Sequence, residues 1–482
     1  MSDIIAAVAA AGAEWSAAEP QRRGRALVAV ADALTGAADE LVPLAMSETG
    51  LSEARLRGEL KRTTVQLKLF ADVAVAGAFL DVRLDAADPD FVLGPRPDLR
   101  RYLVPLGPVL NFAASNFPFA FSVAGGDTAS ALAAGCPVLV KAHPGHPRLS
   151  DRTASIVRAA LAESGMPADA LGLIHGQDEG VSALRDERIA AASFTGSLRA
   201  GRALFDIAAA RPRPIPFYGE LGSINPVVVT AAALAERADR IATGFAASVT
   251  GSAGQLCTKP GLLFLPAGAG FPTTAFGDAG PHRLLHPGIV EGYARRRDEV
   301  LGTKGIHVLR EGAVDGDVAA PTLVETDLAT FDEHRDTLAD EAFGPLSIIV
   351  RYDPAAALAP VLADLVEGSL TAGLHIGTGE DSPWLREVIG VLSDRAGRLL
   401  FDGWPTGVAV TPAMQHGGPW PATTNPTTTS VGTAAIGRFL RPVTFQDCPP
   451  TLLPPPLRDD NPWGVPQTRS AAGESARWGR LS

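Results

Sequence analysis

Cysteine is scarce in this chain: Cys136, Cys257 and Cys448 are the only three among 482 residues, and they lie far apart. An odd, scattered set makes neither a disulfide framework nor a thiolate zinc cluster and points to a reducing setting. No apolar run reaches the ~18 residues that a spanning helix needs, and Met1 to Ala11 carries no basic residue ahead of its apolar stretch. Export and membrane insertion are therefore not expected, and the chain reads as cytoplasmic. Charged residues make up only 20% and the net charge is -11, which argues against holding a nucleic-acid backbone through bulk electrostatics. The familiar dinucleotide fingerprint is also missing, since Gly268 and Gly270 are followed by Phe271, Pro272 and Thr273 with no third glycine. His143 and His146 lack a third ligand, and Pro144 and Pro147 interrupt any helical face, so they read as polar loop histidines and no resident metal is expected. No internal repeat is present.

What is there is a globular composition, 46% apolar, at a length suited to two or three domains of roughly 100 to 200 residues each. From Ile4 to about Ala76 apolar residues recur at helical spacing, a helical prelude. From Arg101 onward short β-rich runs alternate with helical ones: Tyr102–Phe112, helix Ala120–Ala134, strand Val138–Lys141, helix Leu149–Ser164, strands Leu171–His175 and Ile189–Phe194, and a helix from about Ser197. After Glu220 a second series follows, with strand Asn225–Val229, helix Ala232–Ser248 and strand Leu262–Leu265. Alternation of this kind implies α/β domains with mainly parallel sheets. The proline-rich segment Cys448–Pro466 predicts an extended arm.

Three short stretches carry chemical potential. Cys257 follows Gly254 and Gln255 and precedes a strand-like run, so its backbone is free to approach a ligand, although a cysteine is as often a small buried hydrophobe. That second reading is preferred for Cys136. Glu220, before Gly222, stands at a strand end that opens onto a cleft, or is a solvated surface carboxylate. Asn116 offers a neutral amide donor, or caps a helix after Pro118. Thiol, carboxylate and amide together are the minimum for covalent acyl chemistry on a carbonyl. Thr195, Gly196, Ser197 and Gly201 mark a strand-to-helix turn able to hold a pyrophosphate. The stretch Gly417 to Pro421 with Thr427 to Thr429 is a loop that walls a pocket or merely connects.

In this order, over nearly the whole chain, these segments resemble the aldehyde dehydrogenase superfamily. The resemblance implies Cys257 as nucleophile, Glu220 as general base, Asn116 as oxyanion amide, Lys141 as cofactor-ribose lysine, Gly196 and Gly201 in the cofactor turn, and Glu341 with Phe343 against the nicotinamide ribose and ring. Phe217 to Pro226, His416 to Pro419, and the helix bearing Arg62, Thr63 and Gln66 are similar to the branch of 2,5-dioxovalerate (α-ketoglutarate semialdehyde) and NADP-dependent long-chain aldehyde dehydrogenases. Many members place a glutamate three residues after the cofactor lysine, where this chain has Pro144; with Lys141 or Arg148 nearby, NADP is the preferred cofactor and NAD the second.

The implied reaction is oxidation of an aldehyde to an acid through a thiohemiacetal and a thioester. The leading substrate is 2,5-dioxovalerate, with Arg62 and Gln66, one helical turn apart, as carboxylate ligands or merely a surface pair. The alternatives are a long-chain aldehyde, a CoA-acylating enzyme, against which Glu220 argues, and a catalytically inactive cofactor-binding or structural homologue. By resemblance, residues 1–98 and 110–222 form a dinucleotide-binding domain and 223–430 a catalytic domain. Residues 99–109 and 431–482 form a bridging segment whose sheet implies a homodimer. The region from Pro266 to Tyr293 looks shortened.

Overall fold

The structure is a computed structural model that describes residues 1–277 and 279–480; Asp278, within the shortened region, and the last two residues of the bridging segment lie outside the described residues. Four helices open the chain, Ser2–Ala17, Pro20–Gly36, Ala38–Thr49 and Glu53–Ala76. They bury Trp15, Leu27, Leu34, Leu67 and Phe70 in one core with Val109, Val138 and Leu171 of the first sheet. None of the described helices is long and apolar enough to cross a membrane.

That first sheet has five strands, in the spatial order Leu171–Ile174, Val138–Lys141, Val109–Phe112, Ala191–Thr195, Phe217–Glu220, and every pairing is parallel. Val109–Phe112 is buried along its full length, as strands are when helices cover both sheet faces, with its one polar residue, Asn111, hydrogen-bonded to Thr128 and Ser193. The chain leaves Val109–Phe112 in one direction and returns on its other side at Ala191, which creates a topological switch point where ligands bind in open α/β sheets.

The second sheet has seven strands, in the order His307–Arg310, Thr322–Asp327, Leu346–Tyr352, Leu262–Pro266, Pro226–Val229, Ser369–His375, Ala396–Phe401. All its pairings are parallel except that of the edge strand His307–Arg310. A four-stranded sheet sets Leu440–Gln446, Leu99–Pro105, Val82–Asp85 and Gln467–Ser470 side by side.

Several expectations are corrected. The run Tyr102–Phe112 is two strands in different sheets, broken at Gly107, whose φ of +126° suits only glycine. The helix expected from Ala120 begins at Gly126, because the Glu59 carboxylate accepts the N–H groups of Phe119 and Ala120 and holds them in turns. Val82–Asp85 joins the small sheet although it lies within 1–98, and Ala435, Ile436 and Phe439 of the 431–482 segment pack into the first core. The arm after Cys448 is extended apart from short turns at Pro450–Leu452 and Pro455–Leu457; it buries Leu453, Leu457 and Val465 against Leu80, Val82 and Leu84.

Candidate active site

Four sequence-selected residues meet at the carboxyl edge of the first sheet. Lys141, Thr195 and Glu220 end their strands, and Asn116 lies four residues past Phe112, the last of the central strand. Thr195 pairs with Glu220 in register, and the Gly196 N–H donates to the Glu220 carbonyl at 3.0 Å. The cofactor turn and the carboxylate are thus fixed to one another by backbone geometry.

Cys257 arrives from the second sheet. The helix Ala231–Thr250 ends in a tight loop where Ser252 and Ala253 adopt left-handed φ of 53° and 55°, a strained conformation for residues with a Cβ. Gly254 completes it at φ +66°, and a Cβ there would lie 2.3 Å from the Gly344 carbonyl oxygen. Only glycine lets the Cys257 loop pack against the loop that carries Glu341 and Phe343. Asn116 Nδ2 donates to the Gln255 carbonyl at 3.0 Å, so the amide stands beside the Cys257 loop and caps no helix. Asn225, fully buried, donates through Nδ2 to the carbonyls of Cys257 at 2.8 Å and Lys259 at 2.9 Å. The Cys257 backbone N–H has no acceptor among the described residues.

His416 links the two halves of the site. Its Nε2 lies 3.0 Å from Glu220 Oε1 and 3.6 Å from Cys257 Sγ. The Ser430 hydroxyl donates to Glu220 Oε2 at 2.6 Å. The 416–430 loop therefore does more than connect: it folds back so that Ser430 N–H bonds the His416 carbonyl and Leu221 N–H bonds the Ala422 carbonyl. Burial pushes the Glu220 carboxyl up, but the adjoining His416 imidazole, the Ser430 hydroxyl and the Cys257 thiol more than offset it, and its pKa falls below the ordinary value. The Cys257 thiol is driven well above its ordinary range by burial first and then by the charges of Glu220 and Glu341, with Arg62 opposing. The arrangement is thus a neutral thiol beside an ionised base, the pairing that delivers a thiolate when the proton is removed during attack.

Glu341 lies against Gly222, where a Cβ would sit 2.8 Å from its Oε2. Burial raises its pKa and lowers that of its partner Lys259, each opposed by their mutual attraction. Phe343 is half-buried in the same loop. The cofactor groups fit a dinucleotide. Lys141 Nζ has no hydrogen-bond or ion-pair partner among the described residues, and burial lowers its pKa. Ser197 caps the exposed start of helix Leu198–Ala209 by accepting from Ala200 N–H at 3.3 Å, which leaves neighbouring amides for phosphate. Gly201 permits close helix-to-strand packing, since a Cβ would meet Leu221 Cδ2 at 2.1 Å. Arg148, by contrast, is held by Glu48 through Nε at 3.2 Å. His146 lies in the loop ahead of helix Pro147–Glu163, as expected, but is fully buried and bonded to the Ala114 carbonyl at 3.0 Å.

The helix Glu53–Ala76 turns a polar stripe toward this cluster, with Arg55, Glu59, Arg62 and Gln66 at i, i+4, i+7 and i+11. Arg55 donates to Ser252 Oγ at 2.7 Å and to the Asn116 carbonyl at 2.5 Å. Arg62 lies over the Phe121 ring at 5.3 Å and within electrostatic reach of Cys257 and Glu220. Its Nη1 and both amide atoms of Gln66 are buried without hydrogen-bond partners among the described residues. His416, Ser430, Asn225, Arg55 and Glu59 were not selected from sequence; the stripe's helical spacing was a readable signal for the last two, and the His-Gly-Gly-Pro segment for the first.

Comparison with known proteins places the chain in a family. The sequence profile described as "Aldehyde dehydrogenase family" matches residues 1–269. The chain is 46% identical over 462 residues to alpha-ketoglutaric semialdehyde dehydrogenase 2 of Azospirillum brasilense, covering 94% of this chain and 87% of that protein. It is 42% identical to alpha-ketoglutaric semialdehyde dehydrogenase of Acinetobacter baylyi, covering 92% and 85%. The solved structure of 3,6-anhydro-L-galactose dehydrogenase in complex with NAP superimposes with a TM-score of 0.75 at 19% identity, over 92% of this chain and 90% of that one.

Proposed function

The chain belongs to the aldehyde dehydrogenase family, and we propose that it oxidises 2,5-dioxovalerate to 2-oxoglutarate, with NADP⁺ preferred over NAD⁺ as hydride acceptor. The observation that carries the substrate is the set of buried, unpartnered atoms on Arg62, within electrostatic reach of Cys257, and on Gln66 one helical turn further on. Such groups cost on the order of 1–3 kcal/mol each when nothing satisfies them, and a 2-oxo carboxylate supplies a charge for the guanidinium and a carbonyl for the amide. The two relatives above are named for the same semialdehyde.

Cys257 attacks the aldehyde carbon, and its proton passes to the Glu220 and His416 pair. The developing oxyanion is held by the second N–H of Asn116 and the free backbone N–H of Cys257, each donor typically worth about 10²- to 10³-fold in rate. When bound, the nicotinamide cofactor accepts the hydride that leaves a thioester on Cys257. Lys141 and the amides after Ser197 would hold its anionic portion, and Glu341 and Phe343 its nicotinamide end. Glu220 then takes a proton from water for hydrolysis. A cavity of about 20 Å³ lined by Tyr218, Glu220, His416, Thr423 and Ser430 has the volume of a single water beside that carboxylate.

The Leu440–Gln446 strand leaves one edge of the four-stranded sheet unpaired, which supports a homodimer joined through strand addition. The test of the function is steady-state reduction of NADP⁺ and NAD⁺ with 2,5-dioxovalerate, decanal and a short aldehyde. The highest kcat/KM with 2,5-dioxovalerate, abolished in Cys257→Ala, is expected. A preference for decanal would overturn the substrate, and no turnover of any aldehyde would overturn the mechanism.

A further inference from the structure

Cys257 Sγ, His416 Nε2 and a Glu220 carboxylate oxygen all lie within 4.8 Å of one another. We propose that this S, N, O triad is a preformed inhibitory site for zinc, which binds reversibly and blocks the nucleophile. Zinc takes thiolate at about 2.3 Å, imidazole at about 2.0–2.1 Å and carboxylate at about 2.0–2.2 Å; at tetrahedral angles these imply roughly 3.6 Å between S and N and roughly 3.4 Å between N and O. The observed separations are 3.6 Å for Cys257 Sγ to His416 Nε2 and 3.0 Å for His416 Nε2 to Glu220 Oε1. The His416 to Glu220 contact opens by a few tenths of an ångström to admit the metal, and the third edge, Cys257 Sγ to Glu220, is within 4.8 Å against the roughly 3.6 Å that the same bond lengths imply.

Charge and donor chemistry select the cation. Cys257 as thiolate and Glu220 as carboxylate supply two negative charges, so a divalent ion is neutralised inside the buried site. Thiolate with imidazole favours zinc over magnesium or calcium, which prefer all-oxygen shells. Binding replaces the Cys257 S–H bond with an S–Zn bond and releases that proton to solvent; the proton that His416 Nε2 donates to Glu220 moves to Nδ1, which frees the Nε2 lone pair for the metal, and no electron is transferred. Three protein ligands leave the fourth position for water.

The surroundings also distinguish an inhibitory site from a resident one. A histidine that holds a permanent metal almost always passes its second ring N–H to a partner. His416 Nδ1 is buried with no partner among the described residues. The expected behaviour is therefore exchangeable binding, reversed by a chelator.

The test uses chelator-stripped full-length protein with cobalt chloride and then zinc chloride, in the absence of aldehyde. One cobalt per chain should give the near-ultraviolet thiolate-to-cobalt band, bleached by an equivalent of zinc because zinc binds such sites more tightly. The band should vanish in Cys257→Ser, and cobalt affinity should fall at least tenfold in His416→Gln, with circular dichroism of both variants checked against the parent. On the unaltered protein, zinc should protect Cys257 from iodoacetamide while the half-exposed Cys448 stays reactive, as read by mass spectrometry. Absence of a thiolate band, or equal alkylation of Cys257 with and without zinc, would overturn the proposal. Metal binding is read here without turnover, so its failure and that of the aldehyde oxidation are separately visible.

Discussion

Replacing Arg62 by methionine isolates its charge from its packing. The Arg62 guanidinium carbon lies 5.3 Å from the centre of the Phe121 ring, and methionine removes the cation while offering the ring a flexible apolar thioether. In the native site Nη1 is buried and unpartnered, so a substrate carboxylate there makes a hydrogen bond to a charged group, worth about 1.5–3 kcal/mol. At tenfold per about 1.4 kcal/mol, kcat/KM for 2,5-dioxovalerate should fall roughly 10- to 150-fold. The loss should fall mainly on KM, because the distal carboxylate is bound equally before and during reaction. Pentanal, which has no carboxylate, should change by less than about threefold. Arg62→Lys should recover part of the loss, since a point charge cannot match the planar fork. The assay is steady-state cofactor reduction with both aldehydes on each variant. An equal fall for pentanal and 2,5-dioxovalerate would show that Arg62 only supports the fold, and no fall for either would remove it from the substrate site.

Glu220→Gln should still give a pre-steady-state burst of about one reduced cofactor per site, formed more slowly because His416 alone remains to take the Cys257 proton, and should then turn over about 10²- to 10⁴-fold more slowly, because the base is needed to hydrolyse the thioester; a stopped-flow trace with an unslowed burst and an unchanged steady state would contradict both roles. The same substitution removes a negative neighbour that raises the Cys257 thiol, so the pH profile of iodoacetamide alkylation should move to lower pH, and an unmoved profile would contradict the electrostatic account. Asn225→Ala deletes the amide that holds the carbonyls of Cys257 and Lys259 and should lower unfolding free energy by about 2–4 kcal/mol together with kcat, measured by denaturant titration and turnover. His375 is 3% exposed, and burial lowers its pKa from 6.5 to about 4. The unfolded chain therefore binds that proton first, and stability present above pH 6.5 is lost as pH falls toward 4, by roughly 3 kcal/mol. His375→Asn should flatten that part of the stability profile, and an unchanged acid limb would assign it to other groups.

The residues that declared themselves in sequence are those whose chemistry is tied to local pattern. Cys257 stands beyond two glycines, Glu220 at a strand end, and Gly196 and Ser197 at a strand-to-helix turn; each place also had a bland reading, and their order along the chain, with Lys141, made them candidates through resemblance to the aldehyde dehydrogenases. The alternation of strands and helices likewise implies mainly parallel sheets, because a parallel connection needs a crossover. The start of the helix after Asn116 was not legible, since the Glu59 carboxylate, some 60 residues earlier in the chain, holds Phe119 and Ala120 in turns. His416 and Ser430 could not be weighed against loop residues either, because their partner Glu220 lies 196 and 210 positions away. The sequence by itself thus determined the α/β architecture and a set of candidate reacting groups. Only the tertiary structure decided how those groups are paired, which of them are buried without partners, and in which direction their pKa values move. Burial and electrostatics are sums over neighbours in space, and no local pattern contains them.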